Sequence, residues 1–113
     1  MCGFAGVISG NRAMLASNLI TRMTDAIHYR GPDDSGLWNN ASAGIALGHR
    51  RLSILDLSTA GHQPMHLASG RYVIVFNGEI YNHKEIRTKL SDHSWIGNSD
   101  TETLLVAIER WGV

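Results

Sequence analysis

The apolar residues of this chain come in runs too short to build anything but a layered fold. The longest unbroken runs, Tyr72–Phe76 and Leu104–Ile108, are five residues each, far short of the roughly 20 residues that span a bilayer. Each can supply one strand or one face of a helix, so a core has to come from several elements stacked together. At 113 residues the chain amounts to one small domain. Its 43% hydrophobic and 18% charged residues give enough apolar matter for a core and too little charge for a disordered segment.

Ten Lys plus Arg balance ten Asp plus Glu, a formal net charge of zero. No basic field recommends a nucleic acid or an acidic membrane as partner. The apolar start, Met1 to Ile8, lacks the positive leader and cleavage site of a secretory signal. A single cysteine cannot form an internal disulfide, which fits a reducing compartment and a cytoplasmic location. The six histidines include no His-Glu-x-x-His pattern and have no cysteine partner, and His62 and His66 flank a turn at Pro64, so no metal site is expected. Neither standard phosphate-cradling glycine loop is present, and no nucleotide site is expected in this chain.

Cys2 to Ile8 reads as a buried strand. Leu15, Leu19, Ile20, Met23 and Ile27 recur at helical spacing, predicting an amphipathic helix over Ala13–His28. The turn-rich Arg30-Gly31-Pro32-Asp33-Asp34-Ser35-Gly36 stops it, because a residue before proline is pushed out of the helical region. Leu37–Asn39 and Ala43–His49 then read as paired strands about an Asn-Asn-Ala-Ser turn, and Arg51–Leu55 as extended. Tyr72–Phe76 is the clearest strand. Lys84–Leu90 and Thr101–Trp111 read as helices, the second opened by a Ser99/Glu102 capping box and stopped by Gly112. The order predicts an α+β fold with antiparallel sheet.

Cys2 is the first candidate for chemistry. With Met1 removed, thiol and free α-amine belong to one residue, which then carries both a nucleophile and a base; the bland alternative is an ordinary cysteine. Asn77-Gly78 ends the best strand, where a side-chain amide and a backbone N–H can face one pocket as an oxyanion needs. The same dipeptide is also the commonest hairpin turn, here leading to an Ile80-Tyr81 strand. Arg50 and Arg51 alternate to opposite faces, so at most one enters a given pocket, where its planar fork would suit a carboxylate; spacing does not say which. Asp100 opens the last helix, where it either complements the helix dipole or meets a ligand ammonium.

Six segments recur in one order: Met1-Cys2-Gly3-Phe4-Ala5-Gly6-Val7, Arg30 to Gly36, Gly48-His49-Arg50-Arg51-Leu52-Ser53-Ile54, Gln63-Pro64-Met65, Asn77-Gly78-Glu79-Ile80-Tyr81-Asn82 and Ser99-Asp100-Thr101-Glu102. Together they strongly resemble the N-terminal glutaminase domain of glutamine-hydrolysing asparagine synthetases, a class II glutamine amidotransferase domain of the N-terminal-nucleophile (Ntn) hydrolase fold. The wording of Arg51-Leu52-Ser53-Ile54 and Asn77 to Asn82 favours that branch over amidophosphoribosyltransferase and glucosamine-phosphate synthase.

The resemblance spans residues 1–113 and implies a role for each site residue. Cys2 is expected to attack the side-chain carboxamide of L-glutamine, with its own α-amine as base. The Asn77 side-chain amide and the Gly78 N–H are expected to form the oxyanion hole. Arg51 matches the ligand of the substrate α-carboxylate, Asp100 and Glu79 those of the α-ammonium, and Leu52 and Ile54 line the pocket through their backbones. Arg30 to Gly36 is a structural signature without an assigned catalytic role. The family's domain is an αββα sandwich, longer than this chain, which is therefore expected to hold its N-terminal part and to lack its C-terminal end. Ammonia is expected to pass to an ATP-dependent synthetase domain or subunit. ATP and Mg²⁺ belong to that domain, and no cofactor is expected here. An incomplete sheet would expose edges, so partner association is expected, a homodimer being one form it could take. The competing readings are a catalytically silent fragment serving as an assembly or interaction module, and a zinc or redox module.

Overall fold

The computed structural model describes residues 2–16, 18–53 and 58–113. β1 (Gly3–Ile8) is followed by two short helices, α1 (Arg12–Ala16) and α2 (Leu19–Ala26), and a 3₁₀ turn at His28–Arg30. β2 (Asp34–Asn40) and β3 (Ile45–Arg51) form a hairpin, and β1 adds to its far side, giving an antiparallel sheet of order β1-β3-β2. A second 3₁₀ turn, Thr59–Gly61, leads to β4 (Met65–His66), which pairs with β5 (Val73–Ile74); α3 (His83–Lys89) and α4 (Asp100–Trp111) complete the described elements. This is the α+β mixture expected. No helix is long and apolar enough to cross a membrane among the described residues.

The single helix predicted over Ala13–His28 is instead two helices and a 3₁₀ turn. Asn18 sits at φ −81°, ψ 21° as the N-cap of α2, its carbonyl accepting from the Arg22 N–H at 3.0 Å; asparagine is among the weaker helix formers. At the other end Ile27 leaves the helix, and Gly31, before Pro32, is extended at φ −154°, ψ 85°. The hairpin turn is as the composition suggests. The Ala43 N–H donates to Asn40 Oδ1 at 3.0 Å, and Gly44 takes φ 73°, a conformation that glycine adopts without penalty.

Tyr72–Phe76 is also shorter as a strand than expected. Among the described residues only Val73 and Ile74 of this run pair, with His66 and Met65. The next position on the partner is Pro64, which has no N–H to donate, so the ladder ends there. Asn77-Gly78 makes no hairpin either: residues 77–82 run irregularly into α3. The capping box forms by half. Ser99 Oγ accepts from Glu102 N at 3.2 Å, but the Glu102 carboxylate turns back to accept the N–H groups of Ile96 (3.0 Å) and Gly97 (2.9 Å). Of the extended segment expected over Arg51–Leu55, residues 54 and 55 lie outside the described residues.

The buried apolar residues fall into two clusters. Leu15, Ile20 and Ala46, with Ala5 and Val7 against them, fill the space between α1, α2 and the larger sheet. Met65, Leu67, Leu90, Leu105 and Val106, flanked by Ile86 and Trp95, join the small sheet to α3 and α4. Arg87 closes the loop between those helices. Its guanidinium donates to Thr103 Oγ1 (2.7 Å) and to the carbonyls of Gly97 (2.8 Å) and Ser99 (2.9 Å), and lies 4.0 Å over the Trp95 ring. Leu105 is 1% exposed at the centre of the second cluster. Leu105→Ala is expected to cost about 2–5 kcal/mol, read as a lower urea midpoint with an unchanged slope.

Candidate functional site

The pairing of β1 with β3 sets Gly3 opposite Arg50. The residue before Gly3 therefore falls beside the chain leaving β3. Cys2 Sγ lies 3.3 Å from the backbone N of Leu52, whose N–H donates to it, and 3.5 Å from the Leu52 carbonyl, to which the thiol can donate. On its other side the Cys2 carbonyl accepts from Arg30 Nε at 3.2 Å.

The rest of the Arg30–Gly36 segment holds the end of β3. Pro32 bridges to Arg51, the Asp33 N–H donates to the Arg51 carbonyl at 3.0 Å, and the Ser53 N–H donates to Asp33 Oδ2 at 2.9 Å. A segment without an assigned role in the sequence thus brackets both Cys2 and Arg51. Arg30 was missed as a contact because nothing in the spacing pairs it with a residue 28 positions earlier.

The two adjacent arginines separate as strand alternation requires. Arg50 meets His28 Nδ1 through Nη2, and Arg51 enters the site. Its guanidinium is buried, donates to the Ser58 carbonyl at 2.7 Å, and has no carboxylate within ion-pair distance among the described residues. Gly61 abuts it so closely that a Cβ there would come within 2.2 Å of Arg51 Nη2.

From the other half of the molecule, Ser99 caps α4 and places Asp100 in its first turn. Asp100 is 6% exposed, and its Oδ2 accepts from Ile80 N at 2.8 Å. That bond fastens the irregular segment after β5 to the α4 amino terminus. Gln63, also buried, makes a second tie: its Oε1 accepts from Phe76 N at 2.6 Å and its Nε2 donates to Thr101 Oγ1 at 3.3 Å.

These residues line one cavity of about 310 Å³, within the range of small-molecule sites. Cys2, Arg51 and Leu52 face it from the larger sheet; Asn77, Gly78, Glu79 and Asp100 face it from the second half. Every predicted site residue that is described lines this cavity; Ile54 lies outside the described residues. Gln63, Gly61 and Thr101 line it too, and the sequence offered no role for them. A thiol, a side-chain amide beside a backbone N–H, a guanidinium and two carboxylates thus face one small space. This set can hold a zwitterion of amino-acid size beside a nucleophile.

His49, on β3, is 0% exposed, and neither ring nitrogen has a hydrogen-bond partner among the described residues. Burial is the main cause that lowers its pKa from 6.5 to about 4; the Phe76 backbone beside it and Asp34 work the other way, while His62 and Arg51 add to the lowering. The ring is therefore neutral in the folded protein at pH 7.

The profile of the family described as "Glutamine amidotransferase domain" matches residues 1–113. The chain is similar to a putative glutamine-hydrolysing asparagine synthetase 2 of Methanocaldococcus jannaschii, 38% identical over 99% of this chain and 24% of the relative. It is similar also to glutamine-hydrolysing asparagine synthetase 2 of Bacillus subtilis, 40% identical over 100% of this chain and 15% of the relative. A third relative, the amidase chry2 of Gibberella zeae, is 37% identical over 95% of this chain and 16% of its own length. The chain spans less than a quarter of the length of each of these curated relatives.

Two expectations follow from the geometry. An unfolded histidine takes up a proton below pH 6.5 while buried His49 resists until about 4, so the unfolded state binds more protons in that window and stability falls as the pH falls. The loss should reach about 3 kcal/mol, and denaturation at pH 7 and pH 4 should show it largely removed in His49→Gln. Gly61→Ala should displace the Arg51 guanidinium from the Ser58 carbonyl, read as a lower denaturation midpoint than that of the wild-type chain.

Proposed function

The chain belongs to the glutamine amidotransferase domain family, and from that premise we propose that it carries out the glutaminase half-reaction of a glutamine-dependent amidotransferase of the asparagine synthetase type. The observation that carries this reading is one cavity lined together by Cys2, Asn77, Gly78, Arg51, Glu79 and Asp100. The domain is then the N-terminal part of an Ntn-hydrolase αββα sandwich. The match to a family of amidotransferases does not favour the assembly-only alternative.

In this mechanism Met1 is removed and the Cys2 α-amine takes the thiol proton. The sulfur attacks the carboxamide carbon of L-glutamine, and the carbonyl oxygen becomes a tetrahedral oxyanion held by the Asn77 side-chain amide and the Gly78 N–H. The C–N bond breaks, the α-ammonium returns its proton to the leaving nitrogen, and ammonia departs from a γ-glutamyl thioester. Water, deprotonated by the same amine, attacks the thioester carbon. Glutamate leaves and the thiol is restored.

The two ends of the substrate are held separately. Arg51 pairs with the α-carboxylate, where its fork can bind both oxygens. Asp100 and Glu79 take the α-ammonium, and Leu52 and Ile54 contribute backbone contacts. A substrate lacking either charged end leaves a buried charge unpaired, which is a strong basis for rejection. Ammonia goes on to a synthetase domain or subunit, where ATP and Mg²⁺ do their work.

Cys2→Ala is expected to abolish glutamate release from glutamine; retained release at the wild-type rate would overturn the assignment of the nucleophile. A residue left ahead of Cys2 acylates the base and is expected to lower the rate by on the order of 10² or more. Intact mass, showing whether Met1 is gone, read beside the glutaminase rate checks this.

A further inference from the structure

We infer that Gln63 is a positioning residue that holds the oxyanion-side segment and the α4 amino terminus at a fixed separation, so that the bond-breaking end and the α-amino end of the cavity stay one glutamine side chain apart. This rests on the glutaminase reading and adds to it a residue whose amide is engaged by Phe76 and Thr101.

The amide of Gln63 spans two elements that each carry part of the site. Its Oε1 accepts from the N–H of Phe76, the residue before Asn77. Its Nε2 donates to Thr101 Oγ1, the residue after Asp100. A backbone N–H can only donate, so the oxygen must face Phe76 and the NH₂ must face Thr101; the orientation of the amide is thereby fixed. Gln63 and Thr101 are 7% and 4% exposed, so water does not readily replace either bond. The segment after Phe76 is fastened again at Ile80, whose N–H donates to Asp100. Asn77, Gly78 and Glu79, themselves exposed, are thus bracketed by two bonds that both lead to the start of α4.

The backbone of Gln63 is itself seated. A Cβ on Gly36 of β2 would come within 2.0 Å of the Gln63 carbonyl oxygen, so the larger sheet lies directly behind it. His62, one residue earlier, holds Asp34 of the same strand at 2.6 Å. Gln63 therefore connects three pieces: β2 behind, the oxyanion side on one arm and the ammonium anchor on the other. A planar amide head supplies an acceptor to one arm and a donor to the other without a charge.

The two arms act on different parts of catalysis, which makes the inference testable in the full chain. Loss of the Phe76 arm frees Asn77 and should act on kcat, since the oxyanion exists only on the way to the thioester. Loss of the Thr101 arm loosens Asp100 and should act on KM. Gln63→Leu is expected to lower kcat at least 10-fold per active Cys2, counted by covalent titration with an electrophilic glutamine analogue. Thr101→Val is expected to raise KM severalfold with kcat within about twofold, and Thr101→Ser to restore it. In the double variant the Thr101→Val effect should vanish on the Gln63→Leu background, as coupled residues require. Unchanged kcat and KM per titrated Cys2 in both single variants, or additive effects, would overturn the inference. Hydrogen exchange at the Phe76 amide reads the contact without any turnover: protection should drop at least 10-fold in Gln63→Leu, and undiminished protection overturns the positioning role. Absence of glutamate release by the wild-type protein, with the amide protected in a Gln63-dependent way, would instead overturn the glutaminase reading alone.

Discussion

The antiparallel register of β1 on β3 is the constraint from which the site follows. Gly3 stands opposite Arg50 and Ile8 opposite Ile45, and the six-residue strand leaves Cys2 at the mouth of the cavity. In an antiparallel pair a slip of one residue turns every side chain to the opposite face. Here such a slip would turn Val7 and Ala5 away from α2 and remove Cys2 from Leu52. The apolar contacts of Ala5 and Val7 with the first cluster therefore specify where the thiol sits, although neither residue is near the cavity. Packing fixes chemistry at a distance of a few residues along one strand.

Around the cavity the charged side chains are satisfied mainly by the backbone. Arg51 donates to the Ser58 carbonyl, Asp100 accepts from Ile80, Glu102 accepts from Ile96 and Gly97, and Arg30 donates to Cys2. A carboxylate or guanidinium held this way keeps its position through rigid peptide groups, whereas a partner side chain has rotamers of its own to lose. It also leaves room on Arg51 and Asp100 for a second, opposite charge from a ligand. The two apolar clusters carry the two sides of the site separately, and the Asp34–His62 pair and the close seating of the Gln63 carbonyl against Gly36 run across the join.

Much of this arrangement was legible in the sequence. Strand pairing around Asn40, the last helix from its Ser99 cap, and the cavity residues Cys2, Arg51, Asn77, Gly78, Glu79 and Asp100 all came from local patterns or from motifs in order. What the pattern misjudged had competing local causes. The Ala13–His28 periodicity is real, but Asn18 interrupts it. Tyr72–Phe76 has the propensity of a long strand, but the partner runs into Pro64, a fact of pairing that one strand alone cannot reveal. Glu102 has the spacing of a capping box, yet two N–H groups of the preceding loop compete for its carboxylate. Arg30, Gln63 and Thr101 were illegible as contacts because their partners lie far along the chain: 28 positions from Arg30 to Cys2, 13 from Gln63 to Phe76 and 38 from Gln63 to Thr101.

Arg87 gives the Asp100 side of the cavity a further property. Its charge is met by two carbonyls, a hydroxyl and the face of Trp95, so the loop that delivers Ser99 and Asp100 is held by a cation against dipoles and a π-cloud. Attraction between two exposed ions fades as salt is added, with a screening length of about 8 Å at physiological ionic strength. Contacts of about 3 Å between a partly buried guanidinium and fixed dipoles lie well inside that length. The loop is thus built to keep its shape when ionic strength changes, while the approach of any charged ligand to the open cavity remains exposed to it.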